Sequence, residues 1–287
     1  MAVREYYADL TLARRLERAE GRSGASFVET HARIRPESGA CSIEAAGAYA
    51  MFDGVDSPIT QSFGLGVSDA VGEAELSAVE EFFLSRRAAV SHEISPLADA
   101  DLFGLLNRRG YRPVEFTNVL FLPLEGRPLP SRPPNERIRV RLTGEEEWQL
   151  WANTAVEGWS EFEELGEELP ELMEIGAKNR DARTFLAELD GRAIAAASLF
   201  VQEGVGLLGG ACTIPDARKQ GAQAALLDSR LRFAADHGCD LAMMCALPGS
   251  TSQRNAERQG FRIAYTRTKW RLEKKAPQAV TERAGDG

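Results

Sequence analysis

Cysteine and histidine are scarce: four cysteines and three histidines occur in 287 residues. Cys41, Cys212, Cys239 and Cys245 show no CxxC spacing and no neighbouring histidine cluster, so neither a zinc centre nor a disulfide framework is expected, and no metal is assigned. Reduced thiols suit a cytoplasmic protein. Long apolar runs are also lacking. No stretch of about 18 apolar residues occurs, and the opening segment MAVREYYADLTLARRLERAEG has no apolar signal core. A membrane partner is therefore not expected. Positive charge is short as well, with 34 Lys and Arg against 43 Asp and Glu and a formal net charge of −9. Nucleic-acid binding needs clustered cations that displace counterions from phosphates, so no nucleic-acid partner is expected. A cationic or amine-bearing partner fits this balance better.

Hydrophobic residues at 44% and charged residues at 27% describe a soluble globular chain. Its length exceeds what a single core usually supports, so two domains are expected. Pro128, Pro130, Pro133 and Pro134 lie among charged residues in the stretch 125–136, a composition that favours an extended connection. The sequence is accordingly divided into a domain at 1–124, a Pro-rich linker at 125–136, a domain at 137–273 and a disordered tail at 274–287.

The same grammar is written on both sides of the linker. RRGYR at Arg108–Arg112 matches RQGFR at Arg258–Arg262, which places Gly110 and Gly260 150 residues apart. The runs AVSHEISP and DLAMMCALP end at Pro96 and Pro248, 152 residues apart. A tandem repeat is expected.

In the second half, RIRVRL (Arg137–Leu142) reads as a strand. The segment EEEWQLWANTAVEGW reads as a helix, with Trp148, Trp151, Ala155 and Trp159 at helical spacing on a buried face. TFLAELD and RAIAAASLFV form a hairpin closed by Asp190-Gly191. GVGLLGGACTI adds a strand, followed by a loop, a helix, a strand, a helix and a last strand. This order predicts an α/β (α+β mixed) fold, with a mixed, mostly antiparallel sheet flanked by helices.

At Pro215 the strand ends, and DARKQGAQAALLDSRLRFAADHG continues as loop and helix. The first N–H groups of a helix lack intrahelical acceptors and carry the positive end of its dipole, which makes an anion site. Gly221 lets backbone approach the anion, Ala222 and Ala224 keep the surroundings small, and Arg218 and Lys219 add charge. By itself such a glycine can equally serve only the turn.

Arg218 and Gly221 fill the first two fixed positions of a pattern that resembles the Q/R-x-x-G-x-G/A motif of the GNAT superfamily of N-acetyltransferases. The third position departs from it, with Gln223. The resemblance covers about residues 137–272 and includes the strand DLAMMCALP and the closing segment GSTSQRNAERQGF. It implies two tandem GNAT-like domains. It further implies that the amides of Arg218, Lys219, Gln220, Gly221, Ala222, Gln223 and Ala224 hold the pyrophosphate of acetyl-coenzyme A. The pantetheine arm would pair with Ala211, Cys212 and Thr213, and Ser252 and Asn255 on the closing helix would be further contacts. The family's asparagine and its tyrosine general acid fall here on Gly249 and Ala256. The acid role then passes to Tyr265, Cys245 or Ser252, of which Tyr265 has suitable chemistry, though a core position accounts for it equally. Cys245 as a covalent nucleophile lacks a histidine to form its thiolate.

The matching stretch of the first half is SDAVGEA, Ser68–Ala74. It keeps Gly72 but surrounds it with Asp69, Glu73 and Glu75, and carboxylates there repel a pyrophosphate. The first half is expected to keep the fold without the cofactor. Between Glu157 and Glu174 lie eight glutamates and no Lys or Arg. They form either a solvated face or a wall that draws in a cationic amine. Glu157, Glu161, Glu188 and Glu203 are candidate bases, with Glu157 preferred. The expected activity is acetyl transfer to a primary amine of a small-molecule or peptide acceptor by direct attack, in a monomer or homodimer. A non-catalytic acyl-coenzyme A sensor and a transferase with another acyl or aminoacyl donor are the alternatives.

Overall fold

In the computed structural model, which describes residues 5–126, 135–161 and 163–273, α1 (Leu10–Ile34) opens the fold. The Asp9 carboxylate caps it by accepting from the Leu12 N–H at 2.9 Å. A Cβ on Gly21 would lie 2.7 Å from the Tyr49 ring and one on Gly24 2.9 Å from Met51 Cε. The two glycines thus let α1 lie close over β2 (Ala48–Phe52), which pairs with β1 (Cys41–Ala45) and β3 (Gln61–Phe63). Helix α2 (Glu73–Leu84), β4 (Ser91–Ile94), α3 (Ala100–Arg109) and β5 (Tyr111–Pro123) complete the first half.

The second half begins with β6 (Ile138–Leu142), α4 (Trp148–Trp159) and α5 (Leu169–Ala177). Trp151 is buried with its indole N–H shared between the Phe185 and Ala197 carbonyls, and Lys178 lies 3.8 Å above the Trp148 ring. The hairpin β7 (Ala182–Leu189) and β8 (Arg192–Gln202) turns at Asp190 and Gly191, both at positive φ as a tight two-residue turn requires. Then follow β9 (Val205–Thr213), α6 (Ala222–Asp236), β10 (Leu241–Ala246), α7 (Thr251–Arg258) and β11 (Arg262–Leu272). From α2 onward, each element of the first half has a counterpart roughly 150 residues later.

The eleven strands among the described residues form one sheet in the order β1-β2-β3-β4-β11-β5-β10-β9-β8-β7-β6. Its centre is an exchange. The last strand of the second half, β11, lies antiparallel between β4 and β5, and the last strand of the first half, β5, lies antiparallel between β11 and β10. The sheet therefore does not divide where the chain was divided, at 125–136. Residues 127–134 of that linker and the whole tail at 274–287 lie outside the described residues. Register places α1, α4 and α5 on one face and α2, α3, α6 and α7 on the other.

The exchange carries a buried charge cluster on the α1 face. Arg267 of β11 is 2% exposed. Its guanidinium donates to Glu93 at 3.0 Å and to the two Glu20 oxygens at 2.9 and 3.1 Å, and reaches Glu17 at 3.4 Å. Tyr265 donates its hydroxyl to Glu17 at 2.8 Å. Burial pushes the Glu17 carboxyl upward, the nearby Glu20 and Glu93 add to this, and Arg267 and the Tyr265 hydroxyl oppose it.

A second buried network crosses the first half. Tyr111 donates to Glu80 at 3.1 Å, so His92 Nε2–H donates to the Tyr111 oxygen at 3.0 Å and its Nδ1 accepts from Ser62 at 2.7 Å. Burial lowers the His92 pKa to about 3. The unfolded imidazole binds a proton below about 6.5, whereas the folded one does not until near 3. Stability should thus fall as pH drops through that window, by about 1.4 kcal/mol per pH unit for one proton. Urea unfolding of the protein and of His92→Gln across the window should differ by this slope, and parallel profiles would refute it.

Candidate functional site

Strands β9 and β10 run parallel but pair only at Val205, Gly206 and Leu207 against Leu241, Ala242 and Met243. Beyond that point β10 stays with β5 as far as Ala246, while β9 stays with β8, so the two strands part into a wedge. The cause is local. Ala196 pairs with Cys212 but Ser198 with Gly209, so Gly210 and Ala211 form a bulge, with Gly210 at φ 55°. Ala211, Cys212 and Thr213 form the β9 side of the wedge. Cys212 is buried, its thiol lies 3.7 Å from the Ala155 carbonyl, and burial pushes its pKa up to about 11, so its thiol is inert and its backbone is what it can offer.

Beyond β9 the chain turns at Pro215–Ala217 and enters α6 through Lys219 at φ 63° and Gly221 at φ 96°. Gly221 is the N-cap of α6 and has no side chain to cap it, and no acidic residue stands in the first turn. The opening N–H groups are left for an anion. Ala222 is buried, Ala224 half-buried and Lys219 exposed. The Gln220 carbonyl accepts from Asn135 at 3.2 Å. Gln223, the departure from the motif, donates to Thr213 Oγ1 at 2.9 Å and so ties the start of α6 to the end of β9. Arg218 donates to the Thr213 carbonyl at 3.3 Å and pairs with Glu161.

On the β10 side, α7 is capped by Ser250, which accepts from the Gln253 N–H at 3.1 Å. Ser252 and Asn255 are exposed on this helix, and Asn255 accepts from Arg258 at 3.3 Å. Gln253 accepts from the Gly249 N–H at 2.7 Å and from Asn118 of β5 at 3.1 Å, so a first-half strand helps fix the end of β10. Sequence reading singled out neither Asn118 nor Gln253, and only the strand exchange brings them together. Ala256 is the buried residue of α7 and joins the core cluster that holds Leu226 and Ala246, which accounts for a small side chain there.

A parallel pair that parts beside an uncapped helix N-terminus has counterparts among known proteins. The family model described as Acetyltransferase (GNAT) family matches residues 146–261. Residues 146–261 form a GNAT acetyltransferase domain. A GCN5-related N-acetyltransferase from Kribbella flavida superposes with a TM-score of 0.62 at 18% identity, over 87% of this chain and 96% of that one. A tandem GNAT protein from the clavulanic acid biosynthesis pathway superposes with a TM-score of 0.56 at 14% identity, over 79% and 78%. A GCN5-related N-acetyltransferase from Sphaerobacter thermophilus gives 0.53 at 18% identity, over 82% and 76%. No curated protein matches the sequence. The fold is the tandem GNAT fold.

The first GNAT-like half treats the equivalent places differently. Its α2 is capped by its own carboxylate, with Glu75 accepting from the Gly72 N–H at 3.0 Å and Glu73 also in the first turn. Strands β3 and β4 run parallel, but beyond them the Asp99 N–H donates to the Gly66 carbonyl at 2.9 Å, bridging the gap. Leu65, Val67 and Val71 are buried in that core, and a Cβ on Gly66 would lie 2.7 Å from Leu102. The chain itself fills the space that the GNAT domain of the second half leaves between β9 and β10.

The catalytic candidates are scattered. Tyr265 is buried in the Arg267 cluster, and burial raises its phenol well above the ordinary value. Cys245, next to it, has its thiol 3.2 Å from Glu20 and likewise raised, which disfavours a thiolate. Glu157 is exposed on α4, 3.8 Å from Arg192. Glu188 pairs with Arg141 at 2.7 Å, and Glu203 pairs with Arg18 at 3.1 Å in the turn before β9, at the opposite end of that strand from Thr213. In the acidic segment, Glu171 and Glu174 pair with Arg35, and Glu174 also with Lys178. Cations from elsewhere in the chain thus offset much of this segment's charge. Phe162 and the side chains of residues 163–165 lie outside what is described.

Proposed function

We propose that the second half binds acetyl-coenzyme A and transfers its acetyl group to a primary amine, with the first half as a cofactor-free scaffold. The observation that carries this reading is the β9–β10 wedge opening beside the uncapped N-terminus of α6. The N–H groups of Gln220 to Ala224 would hold the diphosphate, aided by Arg218 and Lys219, and the edge of Ala211–Thr213 that faces the wedge would align the pantetheine arm. In direct transfer the amine nitrogen attacks the thioester carbonyl, the carbon–sulfur bond breaks, and the proton lost by the amine balances the one gained by the thiolate. Glu157 is the candidate base acting through water, and the acid role is not given to Tyr265, whose hydroxyl is engaged by Glu17 under α1. The acceptor reading rests on the negative net charge and the glutamates around α4 and α5.

Thermal unfolding tests the donor. A ligand at about 100 times its dissociation constant should add roughly 2.7 kcal/mol, and acetyl-coenzyme A without effect would sink the proposal. Thiol release in the presence of an amine panel separates transferase from sensor. A non-catalytic acyl-coenzyme A sensor is favoured by a specific observation, the buried methyl of Ala256 where the family places a tyrosine.

The Arg218–Glu161 pair competes with a bound diphosphate. Glu161→Gln is expected to tighten acetyl-coenzyme A by about two- to fivefold, the range of an exposed ion pair. Calorimetric titration reads this, and weaker binding would mean that Glu161 orients Arg218 toward the ligand.

A further inference from the structure

Ser198 and Gly209 pair at the step beside the β9 bulge, and the backbone carbonyls of both reach α6. Both are claimed by one side chain. Arg230 of α6, 4% exposed, donates through Nη1 to Ser198 O at 3.1 Å and to Gly209 O at 3.2 Å, and through Nε to Leu226 O at 3.2 Å. Burial lowers its pKa to about 10, with no carboxylate among the described residues offsetting the effect, and it remains a cation at neutral pH. The other fully buried arginine, Arg267, has three carboxylates. A buried cation held only by carbonyl oxygens is costly and is not needed to pack α6, since Leu226, Leu231 and Ala234 already bury that face. What it does hold is the point where β9 leaves β10.

We propose that Arg230 is a positioning residue whose guanidinium fixes the β9 bulge and so sets where Ala211–Thr213 meet the pantetheine arm of the acyl donor. The inference rests on the donor reading above. An apolar residue at this position would remove the donor that both carbonyls share, and lysine could serve them only from a single ammonium without the planar fork. The diphosphate loop lies two helical turns away and does not touch Arg230, so the clamp acts on one part of the ligand only.

The test compares two ligands on the full chain, acetyl-coenzyme A and 3′-phospho-ADP, which carries the diphosphate but no pantetheine. Arg230→Met is expected to weaken acetyl-coenzyme A about tenfold while 3′-phospho-ADP changes by less than about twofold, and Arg230→Lys should give an intermediate loss of about threefold. Equal losses for both ligands would overturn the inference, since the arginine would then merely hold α6 in place. Unchanged acetyl-coenzyme A affinity would also overturn it. Should Arg230→Met fail to fold, Arg230→Lys decides by the same ligand contrast: a selective loss supports the clamp and its absence rejects it. A wild-type protein that binds neither ligand overturns the donor reading instead.

Discussion

Arg267→Met is expected to destabilise the protein by about 3–5 kcal/mol, the cost of leaving Glu17 and Glu20 without their cation while Glu93 keeps Lys269. Glu17, Glu20 and Glu93 converge on this guanidinium from α1 and β4, and of the three only Glu20 reaches a partly exposed position. Methionine fills much of the volume, so the loss isolates charge from packing. Urea unfolding measures it. Adding Glu17→Gln to Arg267→Met should recover part of the loss, because an amide can still accept from Tyr265 without carrying charge. A loss below about 1 kcal/mol would show that water reaches the cluster and screens it.

Gly221→Glu should abolish acetyl-coenzyme A binding, with an affinity loss of about a hundredfold or more, as like charges placed together cost several kcal/mol. Two effects add. At φ 96° a side chain is strained, and a carboxylate at the mouth of α6 would occupy the amides meant for the diphosphate. Gly72→Glu provides the contrast. Gly72 has φ −96°, and its Cβ would meet only the flexible Glu75 carboxylate at 3.0 Å. That substitution should leave affinity unchanged, measured by calorimetric titration. Equal losses at the two sites would mean that the first half takes the donor as well.

The repeat, the hairpin at Asp190-Gly191 and the strand-loop-helix around Gly221 were legible because each depends on local chemistry: periodicity, turn residues and a bare helix start. The reciprocal position of β5 and β11 was not. The matched RRGYR and RQGFR segments that lead into them were visible, but which neighbour a strand pairs with is set by the whole sheet, and either order satisfies the same alternation. Tyr265 shows the cost of that gap. Its phenol suggested an acid near the thioester, whereas the exchange places it under α1 against Glu17. The acidic run from Glu157 to Glu174 shows another. Composition registered its glutamates but not Arg35, which arrives from 136 residues before Glu171 and neutralises part of it. Arg230 left no sequence signal at all, since a lone arginine in an amphipathic helix reads as solvent-facing.

The exchange of β5 and β11 also dictates an order of events during synthesis. When the first half has left the ribosome, β4 exposes an unpaired edge whose partner, β11, is encoded at 262–272, and β5 has neither of its neighbours yet. The first half cannot close its sheet alone. Such distant pairing slows folding and leaves edges open to association while the chain is incomplete. The two halves must then lock in one late, cooperative step, and a nascent chain halted before β11 is the species that quality control would meet.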